Sequence, residues 1–314
     1  MFQLAVQTGG IDGAYGIDGT YKLIKETGFE GVDANVDHLF STTRVRAKEE
    51  IPSFFRKGTD ERDLLEAFRP RKEAAEKYGL ENYQAHAPFP SILQTALPED
   101  AEYNEAILEM LRRTIIGAAY IGCRNLIIHP FYYNYENQSS PEEEWELNRK
   151  NYLRLANTAK EYGVTVCLEN MFRAYRNKRI AATCNSPEEA VSFVDRLNEA
   201  VESKLFAFCL DTGHALLAAI DLKKFIVTLG DRIECFHVHD NDGISDQHFA
   251  PYMGVQDWNR LIEGLAAIRF RKTMSFETFN IWNRVDRELC PDFLKIVEKT
   301  GRFFDKKAEE LVRP

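Results

Sequence analysis

The chain has 314 residues, 44% of them hydrophobic and 28% charged, with a formal net charge of −9. That is the composition of a globular protein with a sizeable core, and the length, though long for one domain, is what an α/β barrel uses as one. The acidic balance disfavours a nonspecific binder of nucleic acid or acidic membrane, and no run approaches the ~18 apolar residues of a membrane span.

The opening MFQLAVQTGG has neither the basic nor the long apolar region of a secretion signal, which reads as cytoplasmic. Six cysteines, Cys123, Cys167, Cys184, Cys209, Cys235 and Cys290, lie far apart without a CxxC, so reduced buried thiols are expected. No linker or low-complexity stretch divides the chain, and residues 1–314 read as a single domain.

In chain order, short apolar runs alternate with longer stretches of helical period. The runs are Phe2–Val6, Gly31–Val36, Tyr83–His86, Asn125–His129, Thr165–Glu169, Leu205–Asp211, Ile233–His239 and Lys272–Glu277. The helix candidates following them are Gly19–Thr27, Glu61–Tyr78, Glu102–Ile121, Glu144–Tyr162, Pro187–Ala200, Leu222–Leu229, Trp258–Ala267 and Pro291–Asp305. Eight βα units in this length predict an α/β fold of the (β/α)8 barrel type. A doubly wound open sheet is the alternative, but it usually carries a Gly-rich phosphate loop after an early strand, and none is present.

Six of these eight runs end in His, Asp or Glu: His86, His129, Glu169, Asp211, His237 or His239, and Glu277. In a barrel those ends converge on the catalytic face, where unpaired carboxylates cost several kcal/mol unless a cation compensates them. The stretch IECFHVHDNDGISDQH, from Ile233 to His248, alone holds three of the seven histidines. Glu169, Asp211, His237 and Glu277 are the expected metal shell, with His239 competing for the place of His237. Such an oxygen and nitrogen shell suits Mn²⁺ first, with Zn²⁺, Co²⁺ or Mg²⁺ as alternatives. His86, His129, His214, Asp246 and His248 form an outer ring able to orient ligands, touch substrate or hold further metal. His38 is read as surface.

Three loops bear on substrate. MFRAYRNKR, Met171–Arg179, places four cations past Glu169 and offers Arg173 as an anion clamp, a solvated basic loop being the alternative. FYYNY, Phe131–Tyr135, is a candidate ring platform or lid. The long stretch Asp37–Asp60, with IPSFF inside it, is a candidate lid or oligomer contact, which leaves room for a homo-oligomer.

GFEGVDANV, QAHAPF, LIIHPF, CLENMF, CLDTGHA, FHVHDNDG followed by DQH, and SFETF stand in order at successive strand ends. Together they resemble the xylose-isomerase-like TIM barrels, the superfamily of sugar-phosphate isomerases and epimerases that also includes endonuclease IV. The resemblance to its ketose 3-epimerases implies one metal on Glu169, Asp211, His237 and Glu277, proton exchange by the two glutamates, and contact of His214 with a substrate hydroxyl; His86, His129 and His239 are further expected substrate contacts from their place at the strand ends. After the histidine motif the chain reads HDNDG where those epimerases carry GE and then an Arg. The resemblance to endonuclease IV implies three zinc ions on His86, His129, Glu169, Asp211, His214, His237, Asp246, His248 and Glu277, but GGIDGAYG and APFPSIL do not look like its DNA-contacting loops.

The expected activity is therefore a divalent-metal-dependent sugar or sugar-phosphate isomerase or epimerase, acting on a small sugar-derived substrate rather than on nucleic acid or membrane. Glu169 and Glu277, on the fifth and eighth strands, would shuttle a proton beside a carbonyl through an enediolate. The alternatives are another proton-transfer enzyme on a keto-sugar or cyclic polyol, such as a dehydratase or lyase, and abasic-site DNA repair. A metal-binding barrel serving only as a binding subunit is the non-enzymatic alternative, against which the intact ligand set argues.

Overall fold

The computed structural model describes residues 1–91, 93, 98–132, 140–176, 178–282 and 284–313. The first five strands are β1 (Gln3–Gln7), β2 (Gly31–Asn35), β3 (Glu81–His86), β4 (Asn125–Ile127) and β5 (Thr165–Glu169). An antiparallel hairpin follows, β6 (Phe172–Tyr175) with β7 (Lys178–Ala181), and then β8 (Phe206–Asp211), β9 (Ile233–Val238) and β10 (Thr273–Phe276). All but the hairpin pair in parallel and close in the order β1-β10-β9-β8-β5-β4-β3-β2, which makes the fold a TIM barrel and removes the open-sheet alternative.

Helices fill the crossovers: α1 (Ile11–Glu26), α2 (Thr42–Arg46), α3 (Glu61–Tyr78), α4 (Ala101–Tyr120), α5 (Pro141–Tyr162), α6 (Pro187–Ala200), α7 (Thr212–Leu217), α8 (Leu222–Leu229), α9 (Trp258–Ala267), α10 (Phe279–Trp282) and α11 (Cys290–Val312). None is long and apolar enough to cross a membrane among the described residues.

Side chains alternate along each strand, and this sorts the core into two layers. Leu168, Leu210, Phe236 and Val238 point outward into the large cluster shared with the helices. Ile127, Cys167, Ala207, Cys209 and Cys235 point inward and fill the barrel with small side chains. Two residues further on, the same inward face presents Glu169, Asp211 and His237, so the thiols form the floor beneath the polar groups. All six cysteines are buried and free.

Element ends differ from the sequence expectation for local reasons. Helix α1 starts at Ile11, well before Gly19, and crosses a break at Gly16 (φ 67, ψ 169) that masks its periodicity. Helix α5 starts at Pro141, where Ser140 and Glu143 form a capping box. The basic segment after β5, expected as a loop, is an antiparallel hairpin. Ile51 and Phe55 of IPSFF are buried, with Phe55 against Phe54 and Phe68 (ring centroids 4.7 and 6.5 Å), so that stretch anchors the β2 crossover to the core.

Candidate metal centre and substrate cavity

Register brings the expected shell together: Asp211 pairs with His237 across β8 and β9, and Glu169 pairs with Cys209 across β5 and β8. Glu169, Asp211, His237 and Glu277 each offer one ligand atom, all within 4.8 Å of one another. His237 Nδ1 lies 3.0 Å from Glu169 Oε1 and 3.5 Å from Glu277 Oε2. Glu277 comes from the position just after β10 and meets the same ring nitrogen as Glu169.

Two further groups flank this one. His86, His129 and Glu169 form the first, with the Nε2 atoms of the two histidines 2.9 Å apart. His214, His239, Asp246 and His248 form the second. Asp211 links it to the floor: its Oδ1 accepts from the backbone N–H of His214 at 2.6 Å as the N-cap of α7, which sets His214 one turn beyond the strand. His239 follows the end of β9, fully buried, with Nε2 3.0 Å from Asp211.

The hydrogen bonds fix which histidine nitrogen faces each group. His86 Nδ1 donates to the Ala87 carbonyl (2.7 Å), His214 Nδ1 to the Asn170 carbonyl (2.9 Å) and His248 Nδ1 to the Glu277 carbonyl (3.0 Å). A carbonyl only accepts, so in each ring Nδ1 carries a proton and Nε2 is the nitrogen that faces inward. His237 is oriented by a carboxylate: Nε2 lies 3.1 Å from Asp33 Oδ2, leaving Nδ1 for the floor. This pattern of one nitrogen anchored and the other aimed at a cluster is that of metal-ligating imidazoles.

The carboxylates also leave buried oxygens unsatisfied. Glu169 Oε2 and Asp246 Oδ1 have no hydrogen-bond partner among the described residues, although His129 Nε2 stands 3.0 Å from Glu169 Oε2 out of bonding alignment. Burial alone would raise Glu169, but His237 and His129 hold its carboxyl well below the usual range. Burial likewise opposes charge on His248, but Asp246 and Glu277 carry it up to about 9. A floor with this much negative potential and these anchored nitrogens fits divalent cations.

Above the floor opens a cavity of ≈ 780 Å³, lined by His86, His129, His214, Asp246, His248, Glu169 and Glu277 together with Gln7, Asn35, Asp37, Thr42 and Arg46 from the first two crossovers. Phe172, Arg173, Ala174 and Arg179 of the β6–β7 hairpin form another wall. His239 is not part of the lining, so its expected substrate contact has no surface to act from; it packs beneath, stacked on His248 at 3.9 Å between centroids. Phe131 is core, packed on Tyr152 at 5.1 Å, whereas Tyr132 lines the cavity; Tyr133–Tyr135 lie outside the described residues. His38 is exposed, yet both ring nitrogens stand against buried Arg71 at 3.0 and 3.1 Å.

Several site residues escaped the sequence reading. Asp33, fully buried, also accepts from Gln84 Nε2 (2.8 Å) and Ser275 Oγ (3.0 Å). Gln7 donates through Nε2 to Glu277 Oε1. Asn170 exchanges hydrogen bonds with the Asp211 backbone at 2.8 and 2.9 Å and so holds β8 beside β5 at the rim. The available signal was a charged or amide side chain inside a buried strand or at its end, as in GVDAN and QLAVQ.

Against known proteins, the profile described as xylose isomerase-like TIM barrel matches residues 21–295. An uncharacterized protein of Methanocaldococcus jannaschii is 26% identical over 232 residues, 72% of this chain and 74% of that protein. A probable endonuclease 4 of Mesomycoplasma hyopneumoniae is 29% identical over 48% of this chain and 52% of its own length. Among solved structures, a D-tagatose 3-epimerase-like protein superposes with a TM-score of 0.71 at 19% identity, covering 99% of this chain and 100% of its own. IOLI protein with a binding zinc atom gives 0.66 at 14% identity over 99% and 98%. At such identities the structural likeness speaks for the fold.

Proposed function

Because the chain belongs to the xylose isomerase-like TIM-barrel family, we propose that it is a divalent-metal-dependent isomerase or epimerase that moves a proton on the carbon next to a sugar carbonyl. The observation that carries this reading is the placement of Glu169 and Glu277 at 3.0 and 3.5 Å from one atom, His237 Nδ1, with both carboxylates lining a cavity sized for a small molecule.

Glu169, Asp211, His237 and Glu277 would hold the ion, which as a Lewis acid stabilises negative charge developing on the carbonyl oxygen. The chain's own groups do the rest. One glutamate removes the carbon-bound proton from one face, and the other returns a proton to the opposite face or to the neighbouring carbon. Gln7 fixes Glu277 through Oε1, leaving Oε2 toward the reacting centre. His214, with Nδ1 locked on the Asn170 carbonyl, presents Nε2 to the cavity, where it can meet a substrate hydroxyl. Phe172 of the hairpin wall and Phe89 add apolar surface to the cavity lining.

A second reading has its own support: hydrolysis of a phosphodiester at an abasic site in DNA. Three donor groups, two of them sharing Glu169, exceed what a single-ion enolisation requires, and the relative named a probable endonuclease 4 matches half the chain. Net charge −9 favours the small substrate.

Incubating the metal-loaded protein with a ketose and keto-sugar panel, and in parallel with an abasic-site duplex, separates the two. The proposal expects a new sugar isomer by chromatography and an intact duplex. Metal-dependent strand cleavage that is lost in His248→Ala, with no sugar converted, makes the repair reading the correct one.

A further inference from the structure

Two arginines stand at the cavity in matching surroundings. Arg46 of α2 lies over the Phe89 ring (5.6 Å to the centroid), and Phe89 packs against the His129 ring at 4.5 Å. Arg179 of β7 lies over the Phe172 ring (5.8 Å), and Phe172 packs against His214 at 4.9 Å. Each guanidinium is thus one phenyl ring away from an imidazole of the metal centre, one on the β2 side of the mouth and one on the hairpin. Both residues line the cavity.

Neither Arg46 nor Arg179 has a carboxylate within ion-pair distance among the described residues, and Arg179 Nε is buried without a hydrogen-bond partner. The chain has 49 acidic against 40 basic residues, so cations generally find partners on its surface. Two that line a cavity, each over an aromatic ring and without an ion-pair partner among the described residues, keep their planar donor edges available. A guanidinium stacked on a ring is held in place without spending its N–H groups, as is needed to grip an anion in two-pronged fashion.

We infer that the substrate is an anionic sugar, whose phosphate or carboxylate group is held at the rim by Arg46 and Arg179 while its carbonyl end reaches the floor between Glu169 and Glu277. This rests on the sugar proton-transfer reading and gives it a substrate class. The spacing by one ring fits such a molecule, with a negative group several bonds removed from the carbonyl. Arg173 lines the same wall and adds positive charge there.

The test compares D-fructose, D-fructose 6-phosphate and D-fructuronate on Mn²⁺-loaded protein. Dissociation constants come from calorimetry, and kcat/KM comes from proton exchange where a sugar reacts. The expected result is at least about tenfold tighter binding of one anionic sugar than of fructose. Arg46→Gln and Arg179→Gln should each cut that advantage by about tenfold, the size of a lost charge-assisted contact, while Arg179→Lys retains part of it. A purely structural role would weaken all three sugars alike and leave the ratio unchanged. The phosphate and carboxylate arms tell which anion is preferred. Equal binding of neutral and anionic sugars, or an anionic advantage untouched in both Gln variants because the metal alone supplies it, overturns the inference. An arginine-dependent advantage without carbon-bound proton exchange in any sugar leaves the anion site standing and counts against the proton-transfer reading instead.

Discussion

His237 is clamped between two carboxylates, with Nε2 3.1 Å from Asp33 Oδ2 and Nδ1 3.0 Å from Glu169 Oε1. Asp33 touches none of the cavity, so its effect on the site passes through the imidazole it orients. Asp33→Asn keeps the shape but removes the charge, and divalent-metal affinity is expected to fall about 10- to 100-fold. Competition against a chelator reads this directly; an unchanged affinity would mean that packing alone orients His237.

Glu169 is the carboxylate common to two of the three donor groups, whereas Asp246 belongs to one. Elemental analysis after saturation and desalting should therefore show a larger loss of bound metal in Glu169→Gln than in Asp246→Asn. Equal losses would contradict the sharing of Glu169.

Gln7 donates to Glu277 Oε1 from the end of β1. Without that donor the carboxylate can turn away from the substrate, and Gln7→Leu should slow proton transfer about tenfold, the scale of one hydrogen bond to a charged group. Metal content and KM should change little by comparison. A fall in metal content parallel to the fall in rate would assign Gln7 to the metal centre instead.

The barrel was legible because alternation and polar strand ends are local signals: Glu169, Asp211 and Glu277 announce themselves at the ends of apolar runs. The partners that orient them were not. His237 and Asp33 are 204 residues apart, and Gln7 and Glu277 are 270 apart. Which buried polar residue meets which depends on closure of the barrel, which no local pattern encodes. The hairpin was hidden for another reason. MFRAYRNKR has neither an apolar alternation nor a Gly-containing turn pair, and its strands are held by each other and by the rim of the barrel.

Glu189 on α6 gives a pH signature away from the metal. Burial and the neighbouring Glu144 raise its carboxyl from 4.5 to about 7. A carboxyl raised on folding holds more protons in the folded than in the unfolded state between those values, so its contribution to stability is present below pH 4.5 and is lost as pH rises toward 7. Glu189→Gln, which cannot ionise, should therefore be more stable than the parent at pH 8 by about 1–3 kcal/mol and close to it at pH 4.5, as read by denaturant titration. A difference independent of pH would point to a packing effect.

The central claim is that Glu169 and Glu277 exchange a proton with a carbon beside a sugar carbonyl. Mass spectrometry of a sugar recovered from the metal-loaded protein in deuterated water tests it most directly. One carbon-bound position should gain deuterium, and Glu277→Gln with its metal content verified should slow that gain by at least the ~10²-fold expected for a lost general base. Deuterium uptake at the parent rate in metal-loaded Glu277→Gln, or conversion of the sugar without any uptake in the parent, would contradict the two-glutamate mechanism.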